Sequence, residues 1–246
     1  MNFFENGSPY LTHPLLTVER SVADIAQVAE LVGGLSEHSS VVDLGCGFGR
    51  HALVLASQGH SVIGFDPSVT MISTAQQAIA DQQTETPGSA EFHVGAAADA
   101  ATALKAGSVD LALCLFTTFG QRSTDLASDA STTTLLETAV TLLKPGGSLV
   151  LELPDRDRAV ALLVAEEQLG PTFVTRRYDQ TNQVLHERFE TPDGDFDLAY
   201  ELFSPDELRE MIADVGLEEA AFADQALVPP PLTFMTFVAR RPGRTR

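Results

Sequence analysis

Apolar and polar positions change period several times along the chain, and each change marks an element. Between residues 15 and 35, LLTVERSVADIAQVAELVGGL sets apolar side chains at helical spacing and closes on Gly33-Gly34, which predicts an amphipathic helix that precedes the core rather than belonging to it. A short buried strand follows at 39–44 (SSVVDL), then a helix at 49–59 ending on Gly59, and a second strand at 60–66 (HSVIGFD) rich in β-branched and aromatic residues. The alternation continues with a helix over 68–83, strands over 90–95 and 108–116, a helix over 132–143 and a strand over 146–154. Strand and helix taking turns predicts an α/β protein with a mostly parallel sheet covered on both faces and right-handed crossovers.

After Pro154 the pattern becomes extended. A helix over 157–168 leads into TFVTRRYD (172–179), QVLHERFE (183–190) and DFDLAYELF (195–203). The turn clusters QTN and TPDGD separate these runs, which predicts a small antiparallel insertion. SPDELREMIADVG (204–216) has a serine N-cap, an acidic first turn and a terminal glycine, so it reads as a helix. GLEEAAFAD and PLTFMTFVARR supply two last strands that return to the main sheet.

With 246 residues, 44% of them hydrophobic, the chain has material for one large α/β domain with an insertion. No apolar run approaches the length that crosses a bilayer, and MNFFENGSPYL lacks the basic start and apolar stretch of a secretory signal. The expectation is a cytoplasmic protein without membrane contact. Cys46 and Cys114 form no C-x-x-C pair and have no histidine at ligand spacing, which predicts two reduced thiols and no metal site. Charge changes the picture more. The formal net charge is −19, and up to residue 104 the only bases are Arg20 and Arg50 against eleven acidic residues. Nucleic-acid affinity comes largely from Lys and Arg displacing counterions, so DNA and RNA are poor candidate substrates; the RRPGRTR end (240–246) reads as a solvated tail.

Candidate chemistry concentrates in VVDLGCGFGRH (41–51), where an apolar strand ends in an aspartate and glycines follow at every second position. In an open α/β sheet a ligand lies beyond the carboxyl ends of the strands, and a glycine-rich turn into a helix brings backbone N–H groups against it. A nicotinamide site wants G-x-G-x-x-G, whereas Gly45 and Gly47 are followed here by Gly49, and Arg50 stands where the last glycine would be. Three further stretches belong with this one: VIGFDPSVTMISTA (62–75), VDLALCLFTTFG (109–120) and LLKPGGSLVLELP (142–154). In this order and spacing they make the chain resemble, over almost its whole length, the class I S-adenosylmethionine-dependent methyltransferases, and among them the bacterial small-molecule and natural-product N- and O-methyltransferases.

The resemblance implies a single Rossmann-like domain with a seven-stranded, mostly parallel sheet and helices on both faces. It implies an N-terminal helical lid (1–38), a cofactor-binding core (39–154), an antiparallel substrate-lid insertion after strand five (155–203) and a return to the core sheet (204–246). S-adenosyl-L-methionine would be the cofactor and S-adenosyl-L-homocysteine the product. Gly45, Cys46 and Gly47 would bring the turn backbone against the methionine portion, and Asp43 would face its ammonium group. Asp66, 17 residues after Gly49, would accept hydrogen bonds from both ribose hydroxyls, while Pro67 and Met71 would lie along the adenine. Many family members carry an acidic residue after strand three; VGAAADAATAL has alanines there, so backbone near Ala96 and Ala97 would hold the adenine rather than Asp99. Phe116 would wall the cofactor and Phe119 the substrate.

Methyl transfer from a sulfonium is an in-line displacement, accelerated mainly by holding the acceptor atom near the methyl carbon in a dry pocket. GSPYLTHP places Tyr10 and His13 on an irregular stretch that the resemblance makes a lid, and these two are the catalytic candidates. His51, in the first helical turn after the glycines, is expected to pack or cap beneath the cofactor turn. Tyr178 and His186, with Arg188, are candidates for facing the substrate, subject to a strand register that sequence leaves open. No N/D-P-P-Y segment, Pro-Cys nucleophile or acidic metal cluster is present, which leaves transfer to N or O of a small-molecule acceptor. A noncatalytic S-adenosylmethionine-binding module and a methyltransferase acting on a protein partner stay open; a nicotinamide-linked oxidoreductase is disfavoured by Asp43 and Arg50. Neither the acceptor nor the oligomeric state is legible.

Overall fold

The computed structural model describes residues 11, 16–81, 86–122, 132–223 and 234–243. Its first half contains α1 (Val18–Val32), β1 (Ser40–Leu44), α2 (Arg50–Ser57), β2 (Ser61–Asp66), α3 (Val69–Ala80), β3 (Ser89–Val94), α4 (Ala97–Ala103), β4 (Val109–Cys114) and β5 (Gln121–Arg122). Its second half contains α5 (Thr132–Leu142), β6 (Leu143–Pro154), α6 (Arg156–Ala161), β7 (Glu166–Leu169), β8 (Thr172–Asp179), β9 (Val184–Glu190), β10 (Phe196–Glu201), α7 (Pro205–Asp214), β11 (Glu218–Ala223) and β12 (Phe234–Arg240). Boundaries follow local chemistry. The Thr17 hydroxyl caps α1 by accepting the Arg20 N–H at 3.1 Å, and Gly33 ends it at φ 84°.

Seven strands form the main sheet in the order β11-β12-β6-β4-β1-β2-β3. Those from β3 to β6 are parallel, whereas β12 runs antiparallel to β6 and β11 antiparallel to β12. The chain moves outward from β1 through β2 and β3 and then returns to lay β4 on the other side of β1. The carboxyl ends of β1 and β4 therefore border one crevice at the point where the winding direction reverses.

Strand residues alternate between two helical layers. Val41 packs with Ile25 and Val28 of α1, Ala52 and Leu55 of α2, and Ile72 and Ala75 of α3. Val42 and Leu44 pack on the opposite face with Ala100 of α4, Leu136 and Ala139 of α5, and Leu208 and Ile212 of α7. The α1 helix is thus part of the core, which corrects the expectation that it merely precedes it. Periodicity reveals its apolar stripe, but the surface that stripe covers exists only once β1, β4 and α2 have met.

A second sheet, β5-β10-β9-β8-β7, is antiparallel throughout. Two of its edges depart from expectation. The predicted helix over 157–168 stops at Ala161, and Glu166–Leu169 becomes an edge strand because β8 offers it a ladder. At the other edge, Gln121–Arg122 arrives from before α5, so a core segment completes the insertion's sheet. The α4 helix is an element that the pattern did not announce; it begins where an Asp99 carboxylate oxygen accepts the Ala96 N–H at 2.7 Å. Among the described residues no helix is long and apolar enough to cross a membrane.

Candidate active site

After β1 the backbone turns over Gly45 at φ 79° and Gly47 at φ 54°, a region that favours glycine, before α2 begins. The N–H groups of Gly45 and Cys46 both donate to the Phe65 carbonyl, at 2.7 and 3.0 Å, which fastens the turn to the end of β2. Asp66 completes the fastening: one carboxylate oxygen accepts the Gly47 N–H at 2.9 Å and the other the Ser68 N–H at 2.8 Å. The two turn glycines serve different needs. A Cβ on Gly45 would strike the Thr118 side chain, whereas a Cβ on Gly47 would meet no atom within 4 Å. Gly47 therefore borders open space.

That space is an open cleft. One wall is the glycine turn with Phe48, Asp66 and Met71; the other is Leu115–Thr118, the turn that leaves β4. Phe116 and Thr117 sit at φ 55° and 67°, strained values for residues with side chains. Glu152 of β6 holds them there, its carboxylate accepting the Phe116 N–H and its carbonyl the Thr117 N–H, both at 3.1 Å. Gln121 of β5 and Leu198 and Tyr200 of β10 bring the small sheet to the mouth.

The floor carries buried charge. Asp24 of α1 accepts hydrogen bonds from Arg50 Nη1 at 2.8 Å, His51 Nε2 at 3.0 Å and Arg20 Nε at 2.5 Å. Arg50 Nη1 also donates to the Ser21 hydroxyl at 3.2 Å, and Arg20 Nη2 reaches Glu152 at 3.4 Å. Burial pushes the Asp24 carboxyl up, but hydrogen bonds and charges from His51 and Arg50 outweigh it and hold the group at about 2. His51 is lowered to about 4 chiefly by burial, so its imidazole is neutral in neutral solution and donates to Asp24. Asp43 is 1% exposed; burial raises it to about 7, against the pull of Arg50 and with Asp66 adding to the rise. Burial likewise lifts Asp66 to about 6 and Glu152 to about 7. Two buried polar atoms among the described residues have no hydrogen-bond partner, Asp43 Oδ2 and Arg50 Nη2, one acceptor and one donor beside the same turn.

Residues 41–147 match the model of a family described as a methyltransferase domain, and that stretch spans the glycine turn, Asp66 and the β4 wall. Over residues 41–147 the chain is thus similar to a methyltransferase domain. Solved structures agree in fold. The CcbJ methyltransferase from Streptomyces caelestis is 20% identical, with 98% of this chain and 97% of that one aligned at a TM-score of 0.73. An S-adenosylmethionine-dependent methyltransferase from Clostridium acetobutylicum is 13% identical over 93% of each chain, with a TM-score of 0.70. CalS10, an amino pentose methyltransferase from Micromonospora echinaspora bound to S-adenosylmethionine, is 20% identical over 92% of each chain, with a TM-score of 0.59. No curated protein matches the sequence.

The fold brings Gly45, Cys46, Gly47, Asp66, Met71 and Phe116 to the cleft, with Asp43 buried beneath it. Pro67, Ala96 and Ala97 are not among the residues that line it, and the Ala96 N–H is engaged by Asp99. Phe119, expected as a substrate wall, is instead 1% exposed and packs on Phe203 with ring centroids 5.5 Å apart. The register of the small sheet separates the two candidates on its strands. Tyr178 pairs with Leu185 and shares with Leu198 and Tyr200 the face that carries the sheet's own apolar cluster. His186 pairs with Arg177 and Ala199 on the opposite face. Neither lines the cleft; Gln121, Leu198 and Tyr200 occupy the positions intended for them. Tyr10 and His13 lie outside the described residues. Sequence reasoning missed Arg50, Asp24, Arg20 and Glu152, although one signal was present: Arg20 and Arg50 are the only bases before residue 105, and the fold joins both to Asp24.

Proposed function

We propose that the protein transfers a methyl group from S-adenosylmethionine to a nitrogen or oxygen of a small-molecule acceptor. The observation that carries the cofactor is a pair of unpartnered buried atoms by the cleft: a carboxylate oxygen of Asp43 and a guanidinium nitrogen of Arg50, beside a turn already fastened by Asp66. An α-amino acid zwitterion is the complement of that pair, and a nucleoside with free ribose hydroxyls is the complement of Asp66, whose oxygens each accept one backbone N–H and keep lone-pair capacity. Asp43 would hold the ammonium end, Arg50 the carboxylate end and Asp66 the ribose. When bound, the cofactor supplies an electrophilic methyl carbon on a positively charged sulfur, which leaves as a neutral thioether when an acceptor lone pair attacks.

The chain's own residues orient and dry the site. Phe116 and Thr118 wall the space opposite the turn, and Gln121 offers an amide at the mouth, suited to a polar small molecule. Burial holds His51 at about 4, which makes it a weak base and leaves Tyr10 and His13 as the proposed positioners or proton acceptors. The amino pentose substrate in the name of the CalS10 enzyme, 20% identical, supports a small-molecule acceptor.

Calorimetric titration tests the reading. S-adenosylhomocysteine is expected to bind far more tightly than NAD and to raise the melting temperature accordingly, and tighter binding of NAD overturns the assignment. Labelled S-adenosylmethionine with a panel of amino and hydroxyl compounds then separates an enzyme from a binding module. Once an acceptor is found, Tyr10→Phe should lower kcat with little change in KM.

A further inference from the structure

Arg50 is held by a helix that contributes nothing to the glycine turn. Its Nη1 is shared between Asp24 Oδ2 at 2.8 Å and the Ser21 hydroxyl at 3.2 Å, both on α1, while Nη2 is buried without a partner at the cleft. Asp24 and Ser21 are 3% and 1% exposed, so water does not compete for these bonds. Two other buried carboxyls, Asp43 and Glu152, feel the charge of Arg50 but make no hydrogen bond with it. A guanidinium in such surroundings pairs with the nearest ionised carboxylate unless another holds it away. Asp24, ionised and anchored further by His51 and Arg20, is the carboxylate that does so.

We propose that Asp24 is a positioning residue for the methyl donor, which it never touches: by holding Arg50 away from Asp43 it keeps one buried donor and one buried acceptor unpaired for an α-amino acid. The role rests on the S-adenosylmethionine reading given above. Without Asp24 the guanidinium collapses onto Asp43, the two charges satisfy each other, and the subsite for the amino-acid arm closes while the nucleoside subsite at Asp66 stays intact. The N-terminal helix thereby sets cofactor selectivity from behind the cleft wall, because a preorganised guanidinium edge loses little freedom when the ligand binds.

The probes are S-adenosylhomocysteine and 5′-methylthioadenosine, which share the adenosine and the sulfur but differ in the amino-acid arm. Asp24→Asn is expected to weaken S-adenosylhomocysteine about tenfold or more in calorimetry and 5′-methylthioadenosine by less than about threefold. In Arg50→Met, where the guanidinium is already gone, adding Asp24→Asn should change neither affinity further. A merely structural role would lower both affinities together, and that result, or an unchanged ratio of the two, overturns the proposal. If Asp24→Asn does not fold, Ser21→Ala removes another holder of Arg50 with little change of volume; a smaller loss confined to S-adenosylhomocysteine is expected, and an unchanged ratio there is equally decisive against the role. A wild-type protein that fails to bind S-adenosylhomocysteine sinks the proposed function and this role with it. A wild-type protein that binds, beside variants that keep the ratio, removes only the role of Asp24.

Discussion

Gly47 and Asp66 show how single residues divide the work of the turn. Gly47 sits at φ 54° with nothing within 4 Å of where a Cβ would be, so Gly47→Val meets backbone strain of about 1 kcal/mol but no clash. It should fold and fail to bind S-adenosylhomocysteine, because its side chain projects into the cleft. Gly45→Ala has the opposite signature, since its Cβ would strike Thr118; melting temperature should drop before affinity is even measurable. Asp66→Ala is expected to weaken S-adenosylhomocysteine by about 1.5–3 kcal/mol, the scale of hydrogen bonds to a charged group. Full affinity in a folded Asp66→Ala protein would mean that the carboxylate serves only the N–H groups of Gly47 and Ser68.

Elements hold one another here through buried charge as well as apolar contact. In the small sheet, Arg176 of β8 and Glu187 of β9 face each other across the ladder, each 3% exposed, with Arg176 Nε donating to the carboxylate at 2.7 Å and Nη1 to Glu167 of β7 at 2.8 Å. Breaking one side of such a pair leaves a buried charge with one partner fewer. Glu187→Ala should destabilise the protein by about 3–5 kcal/mol in urea unfolding, whereas the double change Arg176→Met with Glu187→Leu should cost distinctly less. Equal losses would place the contribution of this pair in packing volume rather than charge. The β4 wall depends on the same device, because Glu152 of β6 satisfies two consecutive N–H groups of a strained turn and is itself linked through Arg20 to α1.

At the scale of the molecule, three carboxyls around the cleft give stability and binding opposite dependences on pH. Burial raises Asp43 to about 7, Asp66 to about 6 and Glu152 to about 7, above the range of an unfolded carboxylate near 4. The folded chain holds more protons than the unfolded one in that interval. The stability they contribute is full below about 4 and is lost as pH rises through about 7. Asp24 runs the other way: held at about 2, it contributes above the unfolded value and is lost only in strong acid. An ammonium group opposite Asp43 requires the ionised form, so S-adenosylhomocysteine should bind more tightly as pH rises from about 5.5 to about 8, with release of a proton in the lower half of that range. Melting curves with and without the ligand across this range, and titration enthalpies in two buffers of different ionisation heat, check both signs; a ligand-induced shift that does not grow with pH would contradict them.

Short-range physics made much of this legible in the sequence. The alternation of strand and helix, the cap at Ser204, the glycine turn and the acidic end of the next strand each depend on residues within a few positions of one another. Periodicity of 3.6 or 2 and the freedom of glycine suffice to place them. What pairs across the chain was decided only by packing. Asp24 meets Arg50 across 26 positions and Arg20 meets Glu152 across 132, and no local rule says which buried charges will share a floor. The same holds for Glu166–Leu169, which turned from predicted helix to edge strand because β8 was there to receive it, and for the register that put Tyr200 at the cleft and His186 on the other face. Sequence determined most of the elements and the glycine turn. The tertiary structure decided which side chains stand behind that turn, because burying a charge is tolerable only where distant elements bring it a partner.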